Sequence, residues 1–423
     1  MAFLKKKLYF LVAAYFAFWA KLRLGRWRPV TVVVTGSSGK TTLFKLLAAQ
    51  LGTQAYYSCE ANSAFGIPFN ILDLKRKSFL PYEYLVFALK APFLSLLARV
   101  PTEKLYVAEC DCDRPGEGKF LAQLLQPDYT LWLNANLTHS MNFDGLVRAG
   151  NFTKVEEAIA AEFGHLAVAT RRVLWVNGDD QMIVGFLQNQ QPPATVERLK
   201  AKDFCLDYAV TSQGTKFVFK DATVKLRQLV PAKVGLSVLM TQRLLAQLNQ
   251  PFDASFKNLE LEPGRSTLFS GVKRTALIDS TYNATWDGVQ EMLALLQQFP
   301  GKKKWVVLGD MLEQGERTAW AHRQLAKKLV SLNLERVILV GPRLREFAYP
   351  LVSEKYGDRA KSVLYPREVV KSLIGDLSGG EVILFKGARF LEGLVEKLLL
   401  DKSQAKLLTR REKHWQKRRA KFY

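Results

Sequence analysis

Residues 31–42 read Thr31-Val-Val-Val-Thr-Gly36-Ser-Ser-Gly39-Lys40-Thr41-Thr42, a β-branched apolar run that turns through two glycines into a lysine and two threonines. Val32 to Val34 suit a buried strand. Gly36 and Gly39 let backbone N–H groups approach phosphate oxygens, with Ser37 and Ser38 between them. Thr41-Thr42 then open a helix whose positive end faces the anion. Lys40 is placed to reach the β- and γ-phosphates, and Thr41 to meet Mg²⁺. Val34 stands five positions before Gly39, so this is the short form GxxGKTT. Leu43, Leu46 and Leu47 continue it as an apolar-periodic helix. A phosphate-binding loop at the end of the first strand predicts an α/β domain with a parallel-rich sheet.

Outward from this loop, strand-like runs end in polar residues. Leu105 to Ala108 runs into Glu109, and Tyr129 to Leu133 runs into Asn134-Ala-Asn136-Leu-Thr-His139. Ligands of open α/β sheets bind beyond the carboxyl ends of strands, which makes Glu109 and His139 metal-site candidates. Val173 to Val176 repeats the pattern before Asn177-Gly-Asp179-Asp180, and short strands are expected over 198–226. Asn62 to Leu72 reads as a glycine-proline turn followed by an apolar run, and Tyr84 to Val100 as a long apolar helix. A helical run, Val234 to Leu248, precedes Leu259 to Arg265 (LELEPGR), where Pro263 and Gly264 break the periodicity. Beyond it, strands at Thr275–Ile278, Trp305–Leu308, Arg336–Val340 and Val382–Phe385 alternate with helices at Val289–Gln298, Thr318–Leu332 and Leu391–Leu400. This alternation predicts a second, Rossmann-like α/β domain. The expected division is an N-terminal segment 1–29, an ATP-binding domain 30–262, a C-terminal domain 263–400 and a basic tail 401–423.

The chain of 423 residues is 48% hydrophobic, enough for sizeable cores, and carries a net charge of +22. The excess is concentrated at the ends. Residues 1–30 hold seven Lys or Arg and no acid; residues 402–423 hold nine against Glu412. A nucleic-acid enzyme more often spreads such charge over one folded face with aromatic partners, so no nucleic-acid partner is expected. Leu8 to Ala20 (LYFLVAAYFAFWA) is apolar and aromatic between basic clusters. It is short for a spanning helix, which needs about 20 residues. Two placements stay open: a helix on an anionic membrane surface, or one packed on a protein core or partner. The four cysteines (Cys59, Cys110, Cys112, Cys205) are sparse, and Cys110-x-Cys112 lacks a second pair to make a zinc site. A cytoplasmic location, with peripheral contact to the inner membrane face, is expected.

Taken together, TGSSGKTT (Thr35–Thr42), NxxxxGIP (Asn62–Pro68), PGR (Pro263–Arg265), IDSTYNAT (Ile278–Thr285), VLGDMLEQGE (Val307–Glu316, with His322 following) and FKGAR (Phe385–Arg389) resemble the Mur ligase family, in its D-alanyl-D-alanine-adding branch. The resemblance covers roughly residues 30–400. It implies ATP- and Mg²⁺-dependent amide-bond formation in peptidoglycan precursor synthesis, through an acyl phosphate attacked by an amine. A UDP-muramoyl-peptide would be the acceptor and D-alanyl-D-alanine the donor. By motif, Lys40 and the loop amides hold phosphates, Thr41 the first metal, and Glu109 and His139 resemble second-metal ligands. Arg265 resembles a residue that reaches the γ-phosphate, and Asp279 one that binds ribose. Asn283, Asp310 and Lys386 are looser candidates.

Four departures accompany the resemblance. Family members usually carry an N-terminal domain for the UDP-sugar, whereas only about 29 residues precede the first strand here; a membrane-held or otherwise different acceptor fits that difference. Val155 to His165 has no lysine where the family commonly carbamylates one, and Phe163 sits near the expected place. Pro231-Ala-Lys233-Val replaces a His-Asn pair whose Asn contacts adenine, and within IDSTYNATW Ser280 and Trp286 replace a usual Asp and Pro. A nucleotide-binding scaffold without turnover is the alternative from another class.

Overall fold

The computed structural model describes residues 2–58, 61–76, 82–137, 139–387 and 389–423. Cys59, Thr138 of the histidine loop and Ala388 of FKGAR lie outside the described residues. Two compact units divide the chain, one of residues 1–203 and 236–253, the other of residues 204–235 and 254–423.

The first unit is built on a six-stranded, wholly parallel sheet in the order β2-β3-β1-β4-β5-β6, with β1 Val30–Thr35, β2 Ala55–Tyr57, β3 Leu105–Cys110, β4 Tyr129–Trp132, β5 Val173–Asn177 and β6 Thr195–Leu199. Parallel strands covered on both faces read as continuous apolar runs. The buried pattern of β1, where Thr31 through Thr35 are all inside, follows from that. Helices α1 Ala2–Trp27, α2 Lys40–Leu51, α3 Gly66–Ile71, α4 Tyr82–Leu96, α5 Glu117–Leu125, α6 Asp144–Arg148, α7 Val155–Val168 and α8 Gln181–Gln188 surround it. Residues 66–71, expected as part of a turn and apolar run, are helical: Pro68 occupies the third position of α3, within the first turn, where its missing N–H is not needed. Asp180, the second acid after β5, caps α8 by accepting from the Met182 and Ile183 N–H groups.

The second unit has a six-stranded sheet, β10-β11-β15-β12-β13-β14, with β10 Thr267–Gly271, β11 Thr275–Ser280, β12 Lys304–Gly309, β13 Arg336–Val340, β14 Ala360–Val363 and β15 Val382–Lys386. Only the β10–β11 pair is antiparallel. A three-stranded antiparallel sheet, β7 Cys205–Thr211, β8 Gly214–Phe219 and β9 Thr223–Leu226, belongs to the same unit. Val210 and Leu229 join the core formed by Ile278, Leu293 and Leu308, which is why residues 204–235 group with the C-terminal sheet and not with the parallel sheet of the first unit. The sequence divides instead at 262/263; LELEPGR lies wholly inside the second unit.

The charged tail is folded. After Arg410, a short helix Lys413–Arg419 leads to Tyr423, whose hydroxyl donates to the Phe390 carbonyl at 2.8 Å. Arg411 and Arg419 both contact Glu396, at 2.9 and 2.8 Å.

Candidate active site

The loop Gly36–Gly39 is clamped by the segment after β4. Ser37 N donates to the Asn134 carbonyl (3.1 Å), Ser38 N to Asn134 Oδ1 (2.9 Å), and Asn134 Nδ2 returns to the Ser38 carbonyl (3.0 Å). Ser37 Oγ and Asn136 exchange a further pair of hydrogen bonds, 2.8 and 2.9 Å. Gly36 (φ 135°) and Gly39 (φ 81°) hold backbone that other residues rarely adopt, and a Cβ on Gly36 would sit 3.0 Å from both the N and O of Asn134. A preshaped loop of N–H groups at the start of α2 is what a phosphate chain requires.

Lys40 is buried and held in place before any ligand arrives. Its Nζ donates to the Gly36 carbonyl at 2.6 Å and pairs with Asp111 Oδ1 at 2.5 Å. Burial pulls the ammonium down, but the carboxylates of Asp111, Glu109 and Asp113 outweigh it and leave Lys40 above its ordinary value. Thr41 Oγ1 donates to Glu109 Oε1 at 3.0 Å, so the hydroxyl and carboxylate picked out by sequence meet. His139, at φ 45°, directs Nε2 to Asp113 Oδ1 at 3.4 Å. Burial raises the Asp113 carboxyl, helped by Asp111 and opposed by His139. Asp111 is steadied by Asn62, whose Nδ2 donates to Oδ2 at 2.5 Å, which gives the Asn62–Pro68 motif a physical role. Sequence reasoning missed Asp111 and Asp113. The signal was their alternation in Glu109-Cys-Asp111-Cys-Asp113, where buried thiols, raised by burial, take the other positions.

The donor set suits Mg²⁺. Thr41 Oγ1 and Glu109 Oε1 offer a hydroxyl–carboxylate oxygen pair of the type Mg²⁺ uses beside phosphate and water. Among the described residues, no cluster of three or more His, Cys, Asp or Glu is close enough to hold a metal without other ligands. The Phe163 ring centroid is 6.0 Å from Lys40 Nζ.

In the second unit the predicted residues gather at the carboxyl ends of β11 and β15. Asp279 is fully buried; Oδ1 accepts from Thr281 N and Oγ1 at 3.1 and 2.6 Å, while Oδ2 has no partner among the described residues. Burial raises this carboxyl to about 6, against the Thr281 hydrogen bonds. An orphaned buried acceptor fits a ligand hydroxyl. Lys386, also buried, donates to the Asn283 carbonyl at 2.8 Å, and burial, then the charge of Arg265, lowers it to about 8. Arg265 stacks over Tyr282 at 4.5 Å. Asp310 holds the fold together here, accepting from Leu344 N (2.9 Å) and Arg389 Nη2 (2.6 Å) with no exposure. His322, lowered by burial, clamps the same loop, accepting from Met311 N and facing the Thr318 carbonyl. Arg410, missed in sequence, donates to the Thr281 carbonyl (3.0 Å) and Glu392 Oε2 (3.2 Å) and also meets the Tyr282 carbonyl. His165 and His414 face solvent.

Residues 264–389 match the model of the Mur ligase, glutamate ligase domain. The UDP-N-acetylmuramoyl-tripeptide--D-alanyl-D-alanine ligase of Escherichia coli (strain K12) is 25% identical over 375 residues, 85% of this chain and 74% of the relative. Over most of its length this chain is similar to Mur ligases. Two solved structures of the family share its fold. MurF from Acinetobacter baumannii aligns with a TM-score of 0.71 at 19% identity, over 92% of this chain and 79% of that one. MurF ligase from Thermotoga maritima in complex with ADP aligns with a TM-score of 0.68 at 21% identity, over 96% and 84%. The chain carries Lys40 in its loop, Glu109 on β3 and His139 after β4, with the Phe163 ring centroid 6.0 Å from Lys40 Nζ.

Proposed function

We propose that this chain is a Mur ligase, an ATP-dependent ligase of peptidoglycan precursor synthesis that joins D-alanyl-D-alanine to a UDP-muramoyl-peptide. The carrying observation is the Gly36–Thr42 loop, locked by Asn134 and Asn136, with Lys40 aligned by Asp111 and Thr41 by Glu109. The relative in Escherichia coli, named for that reaction, supports the choice of substrates. When bound, ATP with Mg²⁺ supplies the phosphoryl group that activates a substrate carboxylate as an acyl phosphate. The chain's own part is positioning and charge neutralisation. In the first unit Lys40 and the amides of Gly36 to Thr42 would hold phosphate, and Thr41, Glu109 and His139 would hold metal. Within the second unit, taken by itself, Asp279 Oδ2 would accept from a ligand hydroxyl, and Arg265, Asn283 and Lys386 are its further polar candidates.

We place the enzyme in the cytoplasm and peripherally on the inner membrane face; its buried free thiols and the basic, apolar α1 support this location. One observation favours a second reading, a nucleotide-binding scaffold without turnover: the Phe163 ring beside Lys40. Phosphate release from ATP and Mg²⁺ separates the two. Release that needs UDP-muramoyl-tripeptide and D-alanyl-D-alanine together, and is lost in Lys40→Ala, supports the ligase; nucleotide binding without release supports the scaffold.

A further inference from the structure

Helix α1 is apolar on two opposite sides. Ala13, Phe16 and Ala20 point inward at one to no per cent exposure, with Phe16 edge-on to Phe69 at 4.8 Å. On the other side Leu8, Leu11, Tyr15, Phe18 and Leu22 recur at three- and four-residue spacing and are 40–70% exposed. Helix α4 repeats the arrangement. Glu83, Phe87, Ala91 and Ser95 are buried, while Leu85, Leu89 and Phe93, one turn apart, and Leu97 just past the helix end are 65–76% exposed.

The two helices are tied to each other. Tyr15 donates to the Ala88 carbonyl (2.8 Å), Ser95 Oγ to the Trp19 carbonyl (2.8 Å), and Arg23 to the Leu94 and Arg99 carbonyls (2.9 and 3.0 Å). Arg23 thus satisfies the free carbonyls at the end of α4. Two exposed apolar stripes are therefore carried side by side by one fixed helix pair. Scattered apolar residues need no explanation, but stripes of this length on adjoining helices do.

Charge identifies the occupant. Residues 1–28 contain no acid, and the one acid in 82–99, Glu83, is buried. Lys21, Arg28, Lys90 and Arg99 are exposed around the pair. A second copy docking here would bring like charges together, whereas an anionic bilayer takes apolar stripes at its acyl boundary and cations among its headgroups. Leu8–Trp27 is long and apolar enough to cross a membrane. Its inward stripe is already sealed in the protein's own core, so the helix lies along the surface and does not span.

Resting on the peripheral location proposed above, we infer that α1 and α4 form a single docking face for an anionic lipid bilayer, with α4 an equal partner of α1. The test is co-sedimentation of the full chain with vesicles of phosphatidylcholine alone or mixed with phosphatidylglycerol. Two variants are compared, Leu11→Ser/Phe18→Ser/Leu22→Ser and Leu85→Ser/Leu89→Ser/Phe93→Ser, with circular dichroism and nucleotide binding as folding controls. Each triple should lower partitioning onto anionic vesicles by about tenfold or more, and added salt should weaken wild-type binding. Loss from the α1 variant alone overturns the paired face but leaves peripheral location standing. Equal wild-type binding to neutral vesicles overturns the anionic preference. A wild type that binds neither vesicle overturns both inferences.

Discussion

Replacing Lys386 with Met should make this enzyme more stable at neutral pH. Lys386 is an ammonium with 6% exposure, and burial and the Arg265 charge lower it from 10.5 to about 8. At 1.36 kcal/mol per pH unit, that gap amounts to about 3 kcal/mol. Below about pH 8 the group is charged in both folded and unfolded chains, and the folded chain bears the full penalty. Between about 8 and 10.5 the unfolded chain binds more protons, so stability rises with pH; above 10.5 the penalty is gone. Methionine has nearly the same length and no charge. It forgoes the bond to the Asn283 carbonyl, about 1 kcal/mol, and because Asn283 is exposed that carbonyl turns to water. The net expectation is about 2 kcal/mol of added stability at pH 7, shrinking to nothing or slightly reversing by pH 10. Urea denaturation of both proteins at pH 7, 8.5 and 10 measures it. A variant less stable than wild type at pH 7, or a difference that ignores pH, refutes the reasoning.

Three other perturbations follow from the same geometry. Asp310→Ala leaves Arg389 and the Leu344 N–H without their buried acceptor and should lower stability by about 3 kcal/mol or more, read by thermal denaturation. Gly36→Ala puts a Cβ 3.0 Å from Asn134 N and O at φ 135°, so ATP affinity measured by calorimetry should fall by about tenfold or more. Arg410→Ala removes the cation facing Glu392, whose carboxyl burial raises to about 7 even with Arg410 beside it. Glu392 is ionised above that pH and protonated below it, so the variant's loss of stability, roughly 2 kcal/mol, should be larger at pH 8 than at pH 6 in paired urea titrations.

The residues legible in sequence were those whose role is set by local chain geometry. Gly36, Gly39, Lys40 and Thr41 are fixed by a strand, a turn and a helix start within a dozen positions, and Glu109 by its place at a strand end. Asp111 and Asp113 showed only as an alternation of acids after Glu109, because their partners Lys40 and His139 come from other segments, and Arg410 was not legible at all. Arg410 reaches Thr281 and Glu392 from a tail that, read linearly, is only a run of positive charge. Central strands announced themselves as apolar runs. The short or edge strands β2, β10 and β14 did not, since their Ala55–Tyr57, Thr267–Gly271 and Ala360–Val363 mix polar and small residues on half-covered edges. The apolar run Leu8–Ala20 marked a helix but not its extent to Trp27 or its pairing with α4.

The central claim is tested most directly by the product. The purified enzyme would be incubated with ATP, Mg²⁺, UDP-muramoyl-tripeptide and D-alanyl-D-alanine, and the mixture read by mass spectrometry beside Lys40→Ala. The account predicts an acceptor heavier by one dipeptide less one water, formed only with all components and absent in the variant. An unchanged acceptor, in the presence of bound ATP, would contradict it.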